Sequence, residues 1–508
     1  MKQFVILLLA TVILASSFEG PGKLIPVKQK IEGGSIEGYV NEGVVIFKGI
    51  PFAAPPLGEL RWKAPQPVIP WKGVKECKSN PPSAMQAKPV PFMMWSKEFM
   101  APEEPLSEDC LYLNIWTTAE SYKSNFPVIV WIHGGGFTGG SGTVPLYDGT
   151  EMAKKGVVFV TINYRLGIFG FLAHPDLTAE NGGRGSGNYG ILDQVEALKW
   201  VQKNISAFGG DPTRVTIAGQ SAGSFSVNAL MVSPLAKGLF SRAIGQSGGM
   251  FSTSRGVASD LKSAEANGVK LLQKIGVSSI NELRMKPVDE VMKLNGMLGI
   301  TIDDNVIPPS LKTFEAGRQN DVPLITGWNA DDGVSMGPAM NAQSFRQYAE
   351  KSYGDRAADF LKVFPSGTDE EAKLSQKIIS QMFFGYQNFK WASEQSSNGK
   401  KKAWLYYFKR VPPGEPNYGA FHSAEFGYAL STLKLWNRPF TKTDYDLSAV
   451  MSSYWVNFAK TGDPNGPGLP EWPSFSNSKP VVMELGDEAK SGPVPYIDQL
   501  KFLDSLNK

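Results

Sequence analysis

Apolar residues occur in this chain in two kinds of run, and the contrast between them predicts its architecture. Val128 to Ile132 and Val157 to Ile162 are unbroken stretches of β-branched and aromatic residues. Lacking the alternation of a half-exposed strand, they suit strands buried on both faces of a mostly parallel sheet. Val215 to Ala218, Leu324 to Gly327 and Ala403 to Phe408 read the same way, and Leu239 to Ile244 is a further strand-like run. Between Ile191 and Phe208, by contrast, Leu192, Val195, Leu198 and Val201 recur at the spacing of one helix face. Phe225, Ala229, Leu230 and Met231 continue at helical spacing up to Pro234, and residues 260–287, rich in Lys and Glu, read as a helical excursion. There is no repeat, low-complexity linker or break in composition. The pattern predicts one large α/β domain, residues 18–508, with helical insertions.

The N-terminus has a different pattern. Met1-Lys2-Gln3 precedes apolar residues from Phe4 to Ala15, and Ala15, Ser16 and Ser17 are small. This is the layout of a secretory signal, residues 1–17, which predicts a secreted or periplasmic protein. The run is shorter than the roughly 20 apolar residues of a membrane span, so no stable membrane insertion is expected after cleavage. No Cys lies in the segment for lipid attachment. Across all 508 residues, 42% are hydrophobic and 19% charged, which suits a globular chain. The net charge of +3 supplies no basic face for phosphate backbones, so no nucleic-acid partner is expected. In an oxidising compartment Cys77 and Cys110 can pair and close a loop of about 30 residues; two separate buried thiols are the alternative. Oligomeric state has no signature here.

The pattern Gly-x-Ser-x-Gly occurs twice, at Gly219–Gly223 around Ser221 and at Gly245–Gly249 around Ser247. A nucleophile elbow requires a strand, a tight turn and a helix. Ser221 has all three. Ser247 follows a strand-like run, but Gly249-Met-Phe-Ser-Thr-Ser-Arg-Gly256 has no helical pattern, so Ser247 is expected to end a strand and bond near the site. The N–H of Ala222 opens the helix, where partial positive charge gathers. Upstream, His133-Gly-Gly-Gly-Phe137 follows a buried strand, the position of an oxyanion hole, where glycines let N–H groups converge. A phosphate-binding loop would need a following Lys-Ser or Lys-Thr, which is absent.

A serine nucleophile needs an adjacent base, usually His. Of the three histidines, His133 belongs to the glycine segment and His174 precedes the serine in a Pro-containing loop. His422 alone follows Ser221, as the order nucleophile, acid, histidine requires. The acid is sought between them, after a strand. Asp331 and Asp332 both qualify; Asp332, directly before Gly333, is the choice, with Asp331 a turn or ion-pair residue.

Together these residues resemble the type B carboxylesterase family, which includes the cholinesterases. The resemblance runs from about Val40 to Phe475 and rests on Phe47–Ala53, Ser107–Asn114, His133–Phe137, Asn163–Gly167, Asn188–Gly223, Gly419–Glu425 and Thr461–Asn465. It implies an α/β-hydrolase fold, a Ser221–Asp332–His422 triad and an oxyanion hole from the N–H groups of Gly135, Gly136 and Ala222. It also implies a Cys77–Cys110 disulfide and pairing of Glu108 with an Arg near the N-terminus, for which Arg61 is the candidate. Two departures stand out: the triad acid is Asp where the family often has Glu, and Gln220 replaces the Glu that cholinesterases carry beside the nucleophile. Trp95 falls near the cholinesterases' choline-binding Trp; with Phe137 it is a candidate pocket wall, loop packing being the alternative. The expected activity is hydrolysis of small or medium acyl or aryl esters through an acyl-enzyme, with no cofactor and no metal. The alternatives are a feruloyl or acetyl esterase acting on plant polysaccharide, and a non-catalytic adhesion module on the same fold.

Overall fold

The computed structural model describes residues 25–121, 123–251, 257–294, 296, 298–333 and 338–506. Residues 1–17, expected as a signal, lie outside the described residues. The apolar runs form the middle of one sheet. In spatial order, Val158–Ile162, Phe126–Ile132, Gly210–Gln220, Arg242–Gln246, Leu324–Asn329, Ala403–Phe408 and Val481–Leu485 each lie parallel to the next. Antiparallel strands finish both edges. Tyr112–Thr117, Val44–Pro51, Gly34–Asn41 and Ile25–Ile31 extend one side, and Ala489–Pro493 closes the other.

Alternation of side chains across each strand divides the core in two. Val128, Val130 and Ile132 pack with helices Tyr189–Asn204, Ala222–Val232 and Asp369–Asn398, whereas Ile129 and Trp131 pack with helix Lys442–Thr461. With both faces covered, a strand has no polar side to show, which is why the runs are unbroken. Each large side chain buried this way contributes about 1.5–3 kcal/mol. The long helix Asp369–Asn398 starts at a reciprocal cap between Thr368 and Glu371. The excursion at 260–287 contains helices Leu261–Lys274 and Ile280–Arg284, started by Asp260 and Ser279. The strand expected at 239–244 instead runs Arg242–Gln246, preceded by a short turn at Pro234–Ala236.

No disulfide is shown between Cys77 and Cys110; both are buried, free cysteines. Burial pushes the Cys77 thiol up to about 12 and raises Cys110 as well, so both remain protonated. The neck of the intervening loop is held by other means. Ser83–Ala84 pairs with Leu106–Ser107, and the Arg61 guanidinium grips both Glu108 oxygens at 2.6 Å. Among the described residues no helix is long and apolar enough to cross a membrane.

Candidate active site

The strand Gly210–Gln220 ends in a sharp corner at Ser221, with φ 56° and ψ −123°, and the helix begins at Ala222. Positive φ at a non-glycine residue costs on the order of 1–3 kcal/mol and persists only where packing enforces it. Here the flanking glycines permit that packing. A Cβ on Gly219 would lie 2.6 Å from the Gly223 carbonyl, and one on Gly223 would overlap the Ile132 carbonyl. Ser221 N donates to Gln246 O at 2.9 Å, tying the corner to the neighbouring strand. The side chain is left partly exposed.

The glycine segment folds over this corner. Gly135 and Gly136 adopt φ of 107° and 62°, and a Cβ on Gly134 would come within 3.2 Å of Ser221 Cβ. Among the described residues, the N–H groups of Gly135, Gly136 and Ala222 donate to no protein acceptor. Such donors suit an oxygen that becomes negative beside Ser221. Phe137 does not line the pocket; its φ of 62° turns the ring into the core, 4.8 Å from Phe171. That corrects its expected place in the substrate wall.

His422 Nδ1 lies 2.6 Å from Asp332 Oδ1. The other oxygen, Oδ2, accepts from Ser247 Oγ at 2.6 Å and from Asn329 N at 3.0 Å. A turn that folds this carboxylate back onto its own strand end thus lets the shorter Asp reach the imidazole. Asp331 faces elsewhere: it pairs with Lys377 at 2.6 Å and accepts from Ala420 N at 2.8 Å, clamping the segment that carries His422. Phe384 of the long helix stacks on the imidazole at 4.4 Å, and Trp95 meets its edge at 6.4 Å. Gln220 Nε2 lies 3.1 Å from His422 Nε2.

Behind the imidazole, Glu425 is fully buried, accepting from Gln246 Nε2 at 3.1 Å and Asn329 Nδ2 at 2.5 Å. Burial first, and the nearby Asp332 charge second, push its carboxyl up to about 7. The other two histidines are structural. His133 is buried against Tyr164, and desolvation holds it down at about 4. His174 accepts from Asp176 N at 3.1 Å and starts a short helix.

Ser221 and His422 open into a pocket of about 460 Å³. Gly134 to Gly136 form one wall, and Phe92, Trp95, Phe99 and Met100 the other. No Asp, Glu, Lys or Arg is among its described lining residues. Trp95 donates to Ser423 Oγ at 3.3 Å, which joins the aromatic wall to the histidine segment. Sequence reasoning did not find Phe384 or the Gln220 contact, which meet His422 across long separations, nor Glu425, whose partners Gln246 and Asn329 lie far away in the chain. The second Gly-x-Ser-x-Gly was the available signal for Ser247.

A family model described as "Carboxylesterase family" matches residues 25–502. The fumonisin B1 esterase of Sphingopyxis macrogoltabida is 34% identical over 484 residues, covering 91% of this chain and 86% of that protein. The para-nitrobenzyl esterase of Bacillus subtilis (strain 168) is 32% identical, covering 90% of this chain and 94% of that protein. A solved structure of a PNB esterase superposes with a TM-score of 0.81 at 31% identity, covering 94% of this chain and 99% of that one.

Proposed function

The chain belongs to the carboxylesterase family and is a carboxylic ester hydrolase with the α/β-hydrolase fold, and we propose that Ser221, His422 and Asp332 carry its reaction. The observation that bears most weight is the convergence, at one pocket, of a strained Ser221, unpaired N–H donors and an imidazole held by Asp332. Ser221 Oγ attacks the ester carbonyl and its proton passes to His422 Nε2. The carbonyl oxygen, now negative, takes hydrogen bonds from Gly135, Gly136 and Ala222, each worth on the order of a hundredfold in rate. Asp332 fixes the imidazole tautomer and stabilises the imidazolium without taking the proton. His422 then protonates the leaving alcohol. A water, deprotonated by His422, releases the acid from the acyl-enzyme.

The uncharged, partly aromatic pocket supports neutral esters with an apolar or aryl arm, of small to medium size. Burst kinetics with p-nitrophenyl acetate and butyrate test the mechanism: the wild type gives a burst and Ser221→Ala gives neither burst nor turnover. An unimpaired variant would remove Ser221 from the role.

We further propose that residues 1–17 direct export and that 18–508 form one catalytic unit. The short apolar run behind Lys2 supports the first, and one sheet spanning Ile25 to Pro493 supports the second. N-terminal sequencing of the mature protein tests the cleavage: a start at Phe18 is expected, and a start at Met1 in exported material would overturn it.

A further inference from the structure

Gln220 is the last residue of the strand leading to Ser221 and is only 2% exposed. Its backbone pairs in register with Gln246, so the side chain starts from a fixed point. That side chain ends 3.1 Å from His422 Nε2, the nitrogen that must accept the Ser221 proton. With Nδ1–H donated to Asp332 at 2.6 Å, Nε2 carries the lone pair and the Gln220 amide N–H is the donor. Among the described residues Ser221 Oγ makes no hydrogen bond of its own to the imidazole. In the resting enzyme, therefore, the base is held by Gln220 rather than by the nucleophile.

An amide suits the uncharged base: its N–H donates to the lone pair on Nε2. A carboxylate here could only accept, and would favour the charged ring at a distance where one opposite charge shifts such equilibria by about 1–3 pH units. Other charges around the imidazole are already committed. Asp332 is bonded to Nδ1, Asp331 is paired with Lys377 of the long helix, and Glu425 is buried in its own hydrogen bonds. Tyr406, on the strand beneath, is buried with its acidity suppressed first by desolvation and then by the Glu425 and Asp332 charges. Phe384 and Trp95 cover the ring without charge. Residue 220 is thus the position at the free nitrogen where a charge would act undiluted.

We propose that Gln220 is a positioning residue: its amide holds His422 Nε2 in place before reaction, and its neutrality adds no charge that would favour the imidazolium. The proposal rests on the triad reading above. It is tested by kcat/KM for p-nitrophenyl butyrate between about pH 5 and 9 in the wild type, Gln220→Glu and Gln220→Met. Gln220→Glu moves the acid limb to higher pH by about 1 unit, a loss of about tenfold on that limb that recovers above it, with KM unchanged. Gln220→Met, lacking the N–H donor, moves the limb the same way by less. A role confined to packing would instead lower activity evenly at every pH.

Coincident acid limbs in Gln220→Glu and the wild type would overturn the proposal, as would an even loss in both variants. Thermal melts and active-site titration with an organophosphate separate folded from misfolded enzyme. If Gln220→Glu fails to fold, Gln220→Met carries the test alone. Ser221→Ala and His422→Ala distinguish the two levels of the account. Activity in either sinks the triad reading itself. Two inactive variants alongside an unmoved limb sink only the role of Gln220.

Discussion

Ser221 and Ser247 stand at matching corners of two adjacent parallel strands. Each follows a paired glutamine, Gln220 beside Gln246, each sits inside Gly-x-Ser-x-Gly, and each has a positive φ, 56° and 55°. Each N–H donates to the next strand, Ser221 to Gln246 O and Ser247 to Gly327 O, both at 2.9 Å. What differs is what the corners face. Ser221 is partly exposed at a pocket, with a helix start and unpaired N–H groups around it. Ser247 is fully buried, and its Oγ is spent on Asp332. The shared five residues encode a backbone corner. Chemistry belongs to the corner whose surroundings leave its oxygen free and place a base before it.

The comparison is broken most sharply by removing each oxygen. Ser221→Ala lowers kcat by about 10⁶-fold, the scale for loss of a triad nucleophile. Next in size is the choice between the neighbouring carboxylates. Asp332→Asn lowers kcat by about 10⁴-fold by permitting the wrong imidazole tautomer. Asp331→Asn leaves kcat within about threefold and lowers folding stability by about 1–3 kcal/mol, because Asp331 clamps Ala420 and Lys377 rather than the imidazole. Steady-state kinetics and denaturant unfolding of the pair check this; reversed phenotypes would exchange their roles.

Ser247→Ala comes third. It removes one hydrogen bond to a buried carboxylate, worth about 1.5–3 kcal/mol, and lowers kcat by about tenfold to a hundredfold while organophosphate labelling persists. The smallest effect belongs to Glu425, behind the Ser247 corner. Its carboxyl is raised from 4.5 to about 7, so its stabilising contribution is complete below about 4.5 and is lost as pH rises through about 7. Glu425→Gln lacks that loss. Its Tm therefore gains on the wild type between about pH 5 and 8, and parallel Tm curves would contradict the burial-driven shift.

How much of this is legible in the sequence depends on whether a feature is local. The buried strands, the elbow at Ser221 and the glycine segment are written in consecutive residues, so runs and spacings recover them. His422 is recoverable because only three histidines exist and their order matters. The contacts that refine the site have no such period. Phe384 reaches the imidazole from the middle of a 30-residue helix, and Glu425 is buried by Gln246 and Asn329 from two other strands. Phe137 shows the opposite error. Adjacency to the glycines suggested a pocket wall, but a single positive φ turned the ring toward Phe171.

The central claim is that one of two matching serines carries the acyl group, and covalent labelling tests it most directly. The enzyme is inactivated with an organophosphate, digested with trypsin and mapped by mass spectrometry. The account predicts the adduct on Ser221, in the peptide from Val215 to Lys237, with the peptide carrying Ser247 unmodified. An adduct on Ser247, or full inactivation with Ser221 unmodified, would contradict it.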